Sequence, residues 1–350
     1  MAAPRTISLD AMGGDEGAAV VVPGAAIALE NHPDVTFILF GDEMRIAPHL
    51  EKFPALAERS RIVHADTVVE MQDKPSQAVR RGRGSSMWLA VEAVQKGEAD
   101  CVVSAGNTGA LMVMSKLILK SMPGIERPAI AGLWPTLEGP CIVLDLGANV
   151  GATAVQLADF ALMGAAMARA VLHIDRPRVG LLNIGVEEIK GVEEVKQAHA
   201  WLKENDLAID YRGFIEGDQI SLGIADVIVV EGFAGNIALK TAEGTAKQMA
   251  AWMREALTSS LPARLGALLA QTGLRALKER MDTRRFNGGP FLGLNGIAIK
   301  SHGGTDAVGF ASAIGVGHDL AASNVLERLA ADLMAFHGKL GEPAKARGAS

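Results

Sequence analysis

The feature that most constrains this chain is a short apolar run followed by a tight loop rich in Gly and Asn, which occurs five times along the sequence. The five copies occupy Cys101–Gly109, Cys141–Gly151, Val179–Gly191, Val227–Asn236 and Gly296–Asp306. Glycine lets each loop adopt unusual backbone angles and approach a ligand closely. Parallel strands present the loops that follow them at one edge of a sheet, where ligands bind. The repeated pattern therefore predicts an enzyme in which five loops converge on one site.

The alternation of strands and helices predicts a single α/β domain. From a first strand at Ile7–Ala11 to Val230, apolar runs of strand length alternate with helical segments. This rhythm is typical of a doubly wound, largely parallel sheet with helices on both faces. No low-complexity linker divides the chain, so we expect one domain over residues 1–340 and a disordered polar tail over 341–350. Ala129–Trp134, which lies between two prolines, is predicted to be an edge or antiparallel strand.

Charge and composition limit the partners and the compartment. The chain has 34 basic and 40 acidic residues, a net charge of −6 and only 4% aromatic residues, so we expect no nucleic-acid partner. Cys101 and Cys141 each open an apolar run and are predicted to be buried thiols, which fits a reducing compartment. The first residues lead into a strand without an apolar leader, so we expect a cytoplasmic protein.

The most membrane-like stretch of the sequence is Ala152–Leu172. Asp159 and Arg169 interrupt its apolar residues, whereas a membrane-spanning helix needs about 20 residues with few or no charges. We therefore predict a helix that is buried in the core or at a subunit interface.

One segment, Trp252–Arg285, breaks the alternation because its leucines recur at spacings of three and four. Residues 250–285 also carry seven basic and three acidic residues, a balance opposite in sign to that of the whole chain. We predict a protruding amphipathic helical pair at about 250–285 that contacts an anionic membrane surface or an acidic protein partner. A helical pair packed on the core or on a second subunit explains the same spacing. The predicted contact residues are Leu261, Leu265, Leu268, Leu269, Arg264 and Arg275.

The loops differ in the chemistry that their side chains offer. Asn107 and Thr108 open an apolar helix whose unpaired N–H groups favour a phosphate or thioester oxygen, although an ordinary N-cap explains them equally well. Lys190 supplies a mobile cation in a loop that contains glycine. The amide of Asn236 is suited to stabilising a developing oxyanion, an interaction typically worth about 2.7–4 kcal/mol. His302 can act as an acid, a base or a donor to phosphate.

Six motifs occur in a fixed order along the chain: Asp10–Asp15, Ser104–Gly109, Asp145–Asn149, Asn183–Gly191, Gly232–Asn236 and Lys300–Gly304. Together, from about Ile7 to Phe336, they make the sequence resemble the bacterial phosphate acyltransferase family, PlsX. The resemblance implies transfer of a fatty acyl group from acyl carrier protein to inorganic phosphate, which gives acyl phosphate for phospholipid synthesis. It also implies the fold of phosphotransacetylases and isopropylmalate dehydrogenases, a homodimer, and no cofactor or metal.

The resemblance further implies a peripheral association with the membrane, where a glycerol-3-phosphate acyltransferase is the expected partner. The family's site lysine and asparagine match Lys190 and Asn236, and we predict His302 as a third catalytic residue. We expect phosphate to attack the thioester directly, so that the enzyme chiefly orients it, an effect worth about 7–11 kcal/mol. We expect the acyl chain to lie along Leu111–Met122 or along the leucine-rich helices. The predicted substrate-binding residues are Gly106, Asn107, Thr108, Asn149, Gly185, Glu187, Gly235, Lys240, Ser301, Gly303 and Asp306.

Two other functions are open alternatives. An NAD-dependent decarboxylating dehydrogenase uses a related fold, but Asp10–Asp15 lacks the G-x-G-x-x-G pattern of a dinucleotide site. A non-catalytic scaffold that recruits carrier protein to the membrane leaves the five loops unexplained. A Ser-His-Asp triad within Ser301–Asp306 is disfavoured because no G-x-S-x-G motif accompanies it.

Overall fold

The computed structural model describes residues 4–341, which form one sheet of eleven strands together with thirteen α-helices. The strands are β1 (Arg5–Asp10), β2 (Val35–Gly41), β3 (Ser60–His64), β4 (Cys101–Ser104), β5 (Ala129–Thr136), β6 (Gly139–Leu144), β7 (Arg178–Leu182), β8 (Asp210–Ile215), β9 (Val227–Val229), β10 (Gly289–Leu292) and β11 (Ile297–Lys300).

The helices follow the alternation that the sequence predicts. They are α1 (Ala18–Asn31), α2 (Glu43–Leu50), α3 (Pro54–Ala57), α4 (Pro75–Arg81), α5 (Ser86–Gln95), α6 (Thr108–Leu119), α7 (Ala154–Val171), α8 (Glu193–Glu204), α9 (Gly232–Thr258), α10 (Leu261–Leu269), α11 (Gln271–Arg280), α12 (Ala307–Ala322) and α13 (Val325–Gly341). Short 3-10 turns occupy Gly217–Leu222 and Thr283–Phe286.

The sheet has two parallel halves that run in opposite directions. The strand order is β3-β2-β1-β4-β11-β10-β5-β6-β9-β7-β8. Three successive pairings, β11 with β10, β10 with β5 and β5 with β6, are antiparallel, and the others are parallel. An odd number of reversals means that β6, β7 and β9 run opposite to β1, β4 and β11. The strand at Ala129–Trp134 is antiparallel as predicted, but it lies in the middle of the sheet and not at its edge.

This reversal corrects the prediction that five loops share one edge. The loops after β4 and β11 lie at one edge with the loop after β1, and the loops after β6, β7 and β9 lie at the other. The loops that follow parallel strands lie at one edge of a sheet only where those strands run in the same direction. Here the direction changes across β10 and β5, so the loops of the two halves lie at opposite edges.

Helices cover both faces of the sheet, as predicted. Cys101 and Val103 of β4 pack with α1 and α12, whereas Val102 packs on the opposite face with α5 and α6. Both cysteines are buried, as expected. Because successive side chains of a strand point to opposite faces, each strand contributes to two apolar cores.

The long apolar helix α7 lies inside the fold. Among the described residues it is the helix with the length and composition to cross a membrane, and 78% of its residues are buried. Thr153 and Gln156 form a capping box that begins the helix, and in its second turn Asp159 accepts a hydrogen bond from His337 of α13 at 2.7 Å. This agrees with the prediction of a buried helix.

The amphipathic segment forms three helices: the exposed C-terminal part of α9, then α10 and α11, which together are called the arm below. No side chain of α10 or α11 is buried, and Leu261 and Leu269 are 80% and 82% exposed. The alternative that the segment packs on the core of its own chain is therefore wrong, and the predicted pair becomes three helices because α9 is one continuous helix through Thr258. The predicted disordered tail lies almost wholly in 342–350, outside the described residues.

Candidate functional site

The loops after β1, β4 and β11 form one compact group, called the Lys300 cluster below. The N–H of Asp15 donates to the carbonyl of Gly303 at 3.0 Å, and the N–H of Ser301 donates to the carbonyl of Ser104 at 2.9 Å. A Cβ on Gly13 would lie 2.7 Å from the backbone nitrogen of Gly106. Only glycine permits this approach of three loops, so the glycines of these motifs are explained by packing of backbone on backbone.

Lys300 is the buried cation of this cluster. Its side chain is almost wholly enclosed, at 8% exposure, and Nζ donates to the carbonyl oxygens of Ala105, at 3.2 Å, and Ser301. Burial lowers the pKa of Lys300 to about 8, although the nearby Asp10 and Asp15 oppose this shift. The ammonium is still the main form at neutral pH, and its hydrogen bonds go to carbonyl oxygens of the loops after β4 and β11.

Asp10 and Ser104 hold the neighbouring loop. The Oδ2 atom of the buried Asp10 accepts a hydrogen bond from Ser104 Oγ at 2.7 Å, and that hydroxyl accepts one from the N–H of Gly106 at 3.0 Å. Burial raises the pKa of Asp10, while its hydrogen bonds lower it. Asp10 and Ser104 thus fix the backbone of the loop after β4 at Gly106.

Asn107 is the N-cap of α6. Its Oδ1 accepts from the N–H of Ala110 at 3.0 Å, while its Nδ2 donates to the carbonyls of Met71 and Asp73 at 2.8 and 3.0 Å. The side chain therefore has no free donor for a ligand, and the capping alternative accounts for it. Thr108 is exposed beside it at the first turn of the helix.

His302 lies in a loop that Asn287 fixes. Its backbone N–H donates to Asn287 Oδ1 at 3.0 Å, and its Nδ1 accepts from the N–H of Gly304 at 3.2 Å. The proton of the neutral ring is therefore on Nε2. Burial, and then the positive charges of Lys300 and Lys240, lower the pKa of His302, so the ring is neutral at physiological pH. His302 is thus a hydrogen-bond donor here and not a cation.

Two predicted binding residues of this loop serve its structure. Ser301 is buried, and its Oγ accepts from Asn287 Nδ2 at 2.8 Å. Asp306 is the N-cap of α12, where Oδ1 accepts from the N–H of Gly309 at 3.0 Å and Oδ2 pairs with Arg284 at 2.8 Å. Arg284 lies in the 3-10 turn that follows the arm, so its ion pair with Asp306 connects the end of the arm to the Lys300 cluster.

The loops after β6 and β9 form a second group, called the Asn236 cluster below. A Cβ on Gly232 or Gly235 would overlap the carbonyl oxygens of Asn149 and Asp145, respectively. The buried carboxylate of Asp145 accepts from the backbone N–H of Asn149 at 2.6 Å and from its Nδ2 at 2.9 Å. The side chain of Asn149 is thus used inside the fold, although it does not cap a helix, since the N-cap of α7 is Thr153.

Asn236 remains available in the first turn of α9. Its side chain is exposed and has no hydrogen bond within the described part of the chain, and a Cβ on Gly147 would lie 3.4 Å from Asn236 Cβ. One turn later, Lys240 Nζ pairs with Glu243 at 2.9 Å.

Lys190 lies in the exposed loop after β7. The Nδ2 atom of Asn183 donates to the carbonyls of Gly185 and Lys190, both at 3.1 Å, and the carbonyl of Glu187 accepts from the N–H of Lys190 at 2.9 Å. The ammonium of Lys190 has no partner among the described residues, and the neighbouring Ile189 is 83% exposed.

The three predicted catalytic residues therefore do not meet at one point within a single chain. Lys190 and Asn236 lie at one edge of the sheet, and His302 lies at the other. Helix α9 joins the two edges: it begins in the Asn236 cluster, and the charges of its Lys240, Glu243 and Lys247 act on His302. Sequence reasoning did not name Lys300, Asp10 or Asn287 among the predicted site residues. Lys300 and Asp10 could have been found, because each is a charged residue at the carboxyl end of an apolar strand.

The fold and its loops define the class of the protein. A phosphotransacetylase from Streptococcus pyogenes matches it with a TM-score of 0.60 and 20% identity, covering 91% of this chain and 94% of that chain, so the two share a fold. The chain belongs to the family described as fatty acid synthesis protein, whose family model matches residues 5–328.

Relatives of known name are much closer in sequence. The phosphate acyltransferase of Azorhizobium caulinodans is 57% identical over 100% of both chains. That of Agrobacterium fabrum is 58% identical over 95% of each chain. These relatives confirm the resemblance seen in the motifs and favour it over the dehydrogenase and scaffold alternatives.

Proposed function

We propose that this protein transfers a fatty acyl group from acyl carrier protein to inorganic phosphate, giving acyl phosphate for phospholipid synthesis. The acyl transfer to phosphate rests on the named relatives at 57% and 58% identity. The observation in this chain that supports it best is the buried ammonium of Lys300 under loops of closely packed glycines. A fixed cation in a site that excludes water is suited to an oxyanion, because its electrostatic attraction for the anion is stronger there than in water.

In this proposal the phosphate lies on the Lys300 cluster. The N-terminus of α6 at the exposed Thr108 favours the negative charge. His302 donates from Nε2 without carrying a charge, since its pKa is lowered. Lys300 is thereby added to the residues predicted from the sequence.

Asn236, Lys190 and Lys240 act on the acyl donor. A phosphate oxygen forms a bond to the thioester carbon, which lies along the first turns of α9 between the two clusters, and the free amide of Asn236 stabilises the resulting oxyanion. The carbon–sulfur bond then breaks, and the carrier thiolate takes up the proton that the attacking phosphate loses. The free ammonium of Lys190, held by the loop of Gly185 and Glu187, interacts with an anionic group of the donor.

The surface around Lys190 supports a homodimer. Ile184, Val186, Ile189 and Val192 are all largely exposed on this loop. An apolar patch beside a functional cation is typical of an interface. The acyl chain is not expected along α6, because Leu111 and Met114 are packed in the core, and the leucines of the arm are the better candidate.

The function is tested by mixing the purified protein with an acyl carrier thioester and phosphate and trapping acyl phosphate as hydroxamate. We expect hydroxamate formation to require phosphate. A reaction without phosphate gives the background, because hydroxylamine also attacks the thioester directly. Lys190→Ala should lower the rate about 10–100-fold, as expected for loss of a hydrogen bond to a charged group, and Asn236→Ala about 100–1,000-fold, as expected for loss of a donor to a developing oxyanion. Lys196→Ala, on the exposed surface of α8, is the matched control. Hydroxamate formation that does not depend on phosphate would contradict the proposed acyl transfer to phosphate. Full activity of both variants would contradict the proposed roles of Lys190 and Asn236.

We also propose that the arm binds an anionic membrane surface, which would make the protein peripheral to the membrane and bring it near a glycerol-3-phosphate acyltransferase. Leu261, Leu265 and Leu268 are exposed, with Arg264 between them and Arg275 on the next helix. Each leucine that enters the apolar region contributes about 1.5–3 kcal/mol when fully buried.

Replacing Leu261, Leu265 and Leu268 with Asp should therefore abolish co-sedimentation with phosphatidylglycerol vesicles. Leu137→Asp, which alters a leucine that is 81% exposed at the β5–β6 turn, should leave it unchanged. If the triple variant still binds vesicles but no longer binds carrier protein, the arm is a carrier-binding surface instead.

A further inference from the structure

A group of two histidines and two carboxylates lies outside both clusters, where α1 and α12 end. His32 is the C-cap of α1, and its ring stacks on that of His318 with centroids 4.1 Å apart. His318 Nδ1 lies 3.0 Å from Asp319 Oδ1, and its Nε2 lies 3.8 Å from Asp34 Oδ1. One ligand atom from each of His32, His318 and Asp319 lies within 4.8 Å of the others.

The backbone around this group favours a cation. A Cβ on Gly24 would contact Ala307 and Phe310, and a Cβ on Gly315 would contact His32, so α1 and α12 run side by side in the same direction. Their C-terminal ends therefore converge, and each carries a partial negative charge. The carboxylates of Asp34 and Asp319 add two full charges at the same corner.

The electrostatic surroundings of the rings also suit a cation. No Lys or Arg is among the charged groups that act on His32 in the described structure. The side chain of His318 is only 14% exposed, so the group is partly shielded from water.

We propose that His32, His318 and Asp319 bind a divalent transition metal ion, with zinc as the best fit. Two imidazoles and one carboxylate form a common ligand set for zinc, whereas magnesium and calcium prefer oxygen ligands. Water completes the coordination, and Asp34 supplies a nearby balancing charge.

The metal would join two helices that begin at the Lys300 cluster. α1 follows the loop after β1, and α12 begins at the N-cap Asp306. From Asp306 to His318, the helix rises about 18 Å at about 1.5 Å per residue. A metal at the far ends therefore stabilises the pair without contacting substrate.

The test uses the full-length protein after treatment with a chelator and removal of the chelator. We expect isothermal titration with zinc chloride to show one ion per chain with a micromolar or tighter Kd, zinc to raise the Tm, and magnesium to do neither. His32→Ala/His318→Ala should lose at least tenfold in zinc affinity. His64→Ala, which removes another histidine paired with an aspartate, should not.

A second variant tests the proposal in case the His32→Ala/His318→Ala variant does not fold. Asp319→Asn keeps the size of the side chain, so we expect native circular dichroism and at least tenfold weaker zinc binding. The proposal would be overturned if the parent protein bound no zinc at a 100-fold molar excess of zinc over protein. It would also be overturned if folded Asp319→Asn and the parent bound zinc with equal affinity.

Discussion

Lys300→Met is expected to lower kcat/KM for phosphate at least about 100-fold, the scale seen when a donor to a developing oxyanion is lost, while the protein stays folded. The ammonium is the only buried cation that the described residues place in the Lys300 cluster. Methionine has a similar length but no charge, so the apolar packing is kept while the cation and its hydrogen bonds to the carbonyls of Ala105 and Ser301 are lost. Hydroxamate formation at varied phosphate concentration measures the effect, and Lys96→Met, at an exposed position paired with Glu92, is the control.

The stability of the same variant gives an independent check. The pKa of Lys300 falls from its ordinary 10.5 to about 8 in the folded protein, so its burial costs about 3 kcal/mol wherever it is charged in both states. That cost is fully present below pH 8 and disappears as the pH rises from about 8 to 10.5. The stability of Lys300→Met relative to the parent should therefore be greater at pH 7 than at pH 9.5, whatever the constant cost of leaving the carbonyls of Ala105 and Ser301 without this donor.

Urea denaturation at the two pH values, with matched activity assays, tests both consequences. Activity of the parent should fall as the pH rises through about 8, because the ammonium loses its proton. A variant that retains its activity, or whose lost activity is matched by unfolding at pH 7, would show that Lys300 acts only in the fold.

Gly235→Ala is expected to reduce both stability and activity, whereas Gly244→Ala on the same helix should increase stability. A Cβ at Gly235 would overlap the carbonyl oxygen of Asp145, and backbone cannot move aside as a flexible side chain can. Overpacking of this kind costs about 1–3 kcal/mol. It would also displace Asn236, the next residue, from its place beside Gly147.

Gly244 is the matched control because a Cβ there meets no atom within 4 Å. Replacing glycine in a helix interior with alanine stabilises by roughly 0.5–1 kcal/mol, since less backbone freedom is lost on folding. Denaturation and hydroxamate assays on both variants separate the effects. Equal stability of the two variants would contradict the close contact between α9 and the loop after β6.

Local patterns predicted the strands and the families of loops, but not the direction of each half of the sheet. Cys101–Ser104 and Val179–Leu182 are read correctly as strands because each is a short apolar run bounded by turn residues. The reversal depends on β10 and β5 lying between β11 and β6, and those neighbours are far apart in sequence. The sequence of a single strand does not indicate which strand will pair with it in the sheet.

The same limit applies to the site. Asn107 and Asn149 have the residue type of a ligand donor, yet their amides are used by backbone groups that only the folded chain brings near. Lys190 and Asn236 are free, as their predicted roles require, and those roles stay predictions. Asn287 gave no signal at all, because it follows a surface turn, and its four contacts come from residues 14 to 22 positions further on.

The arm has a consequence for how surface binding and chemistry are linked. The chain leaves the Asn236 cluster along α9, passes through the arm, and returns through Arg284 to the N-cap of α12 in the Lys300 cluster. The two ends of the arm are therefore fixed at the two clusters. A partner that binds the arm is held on a segment that is continuous in the chain with both groups of loops.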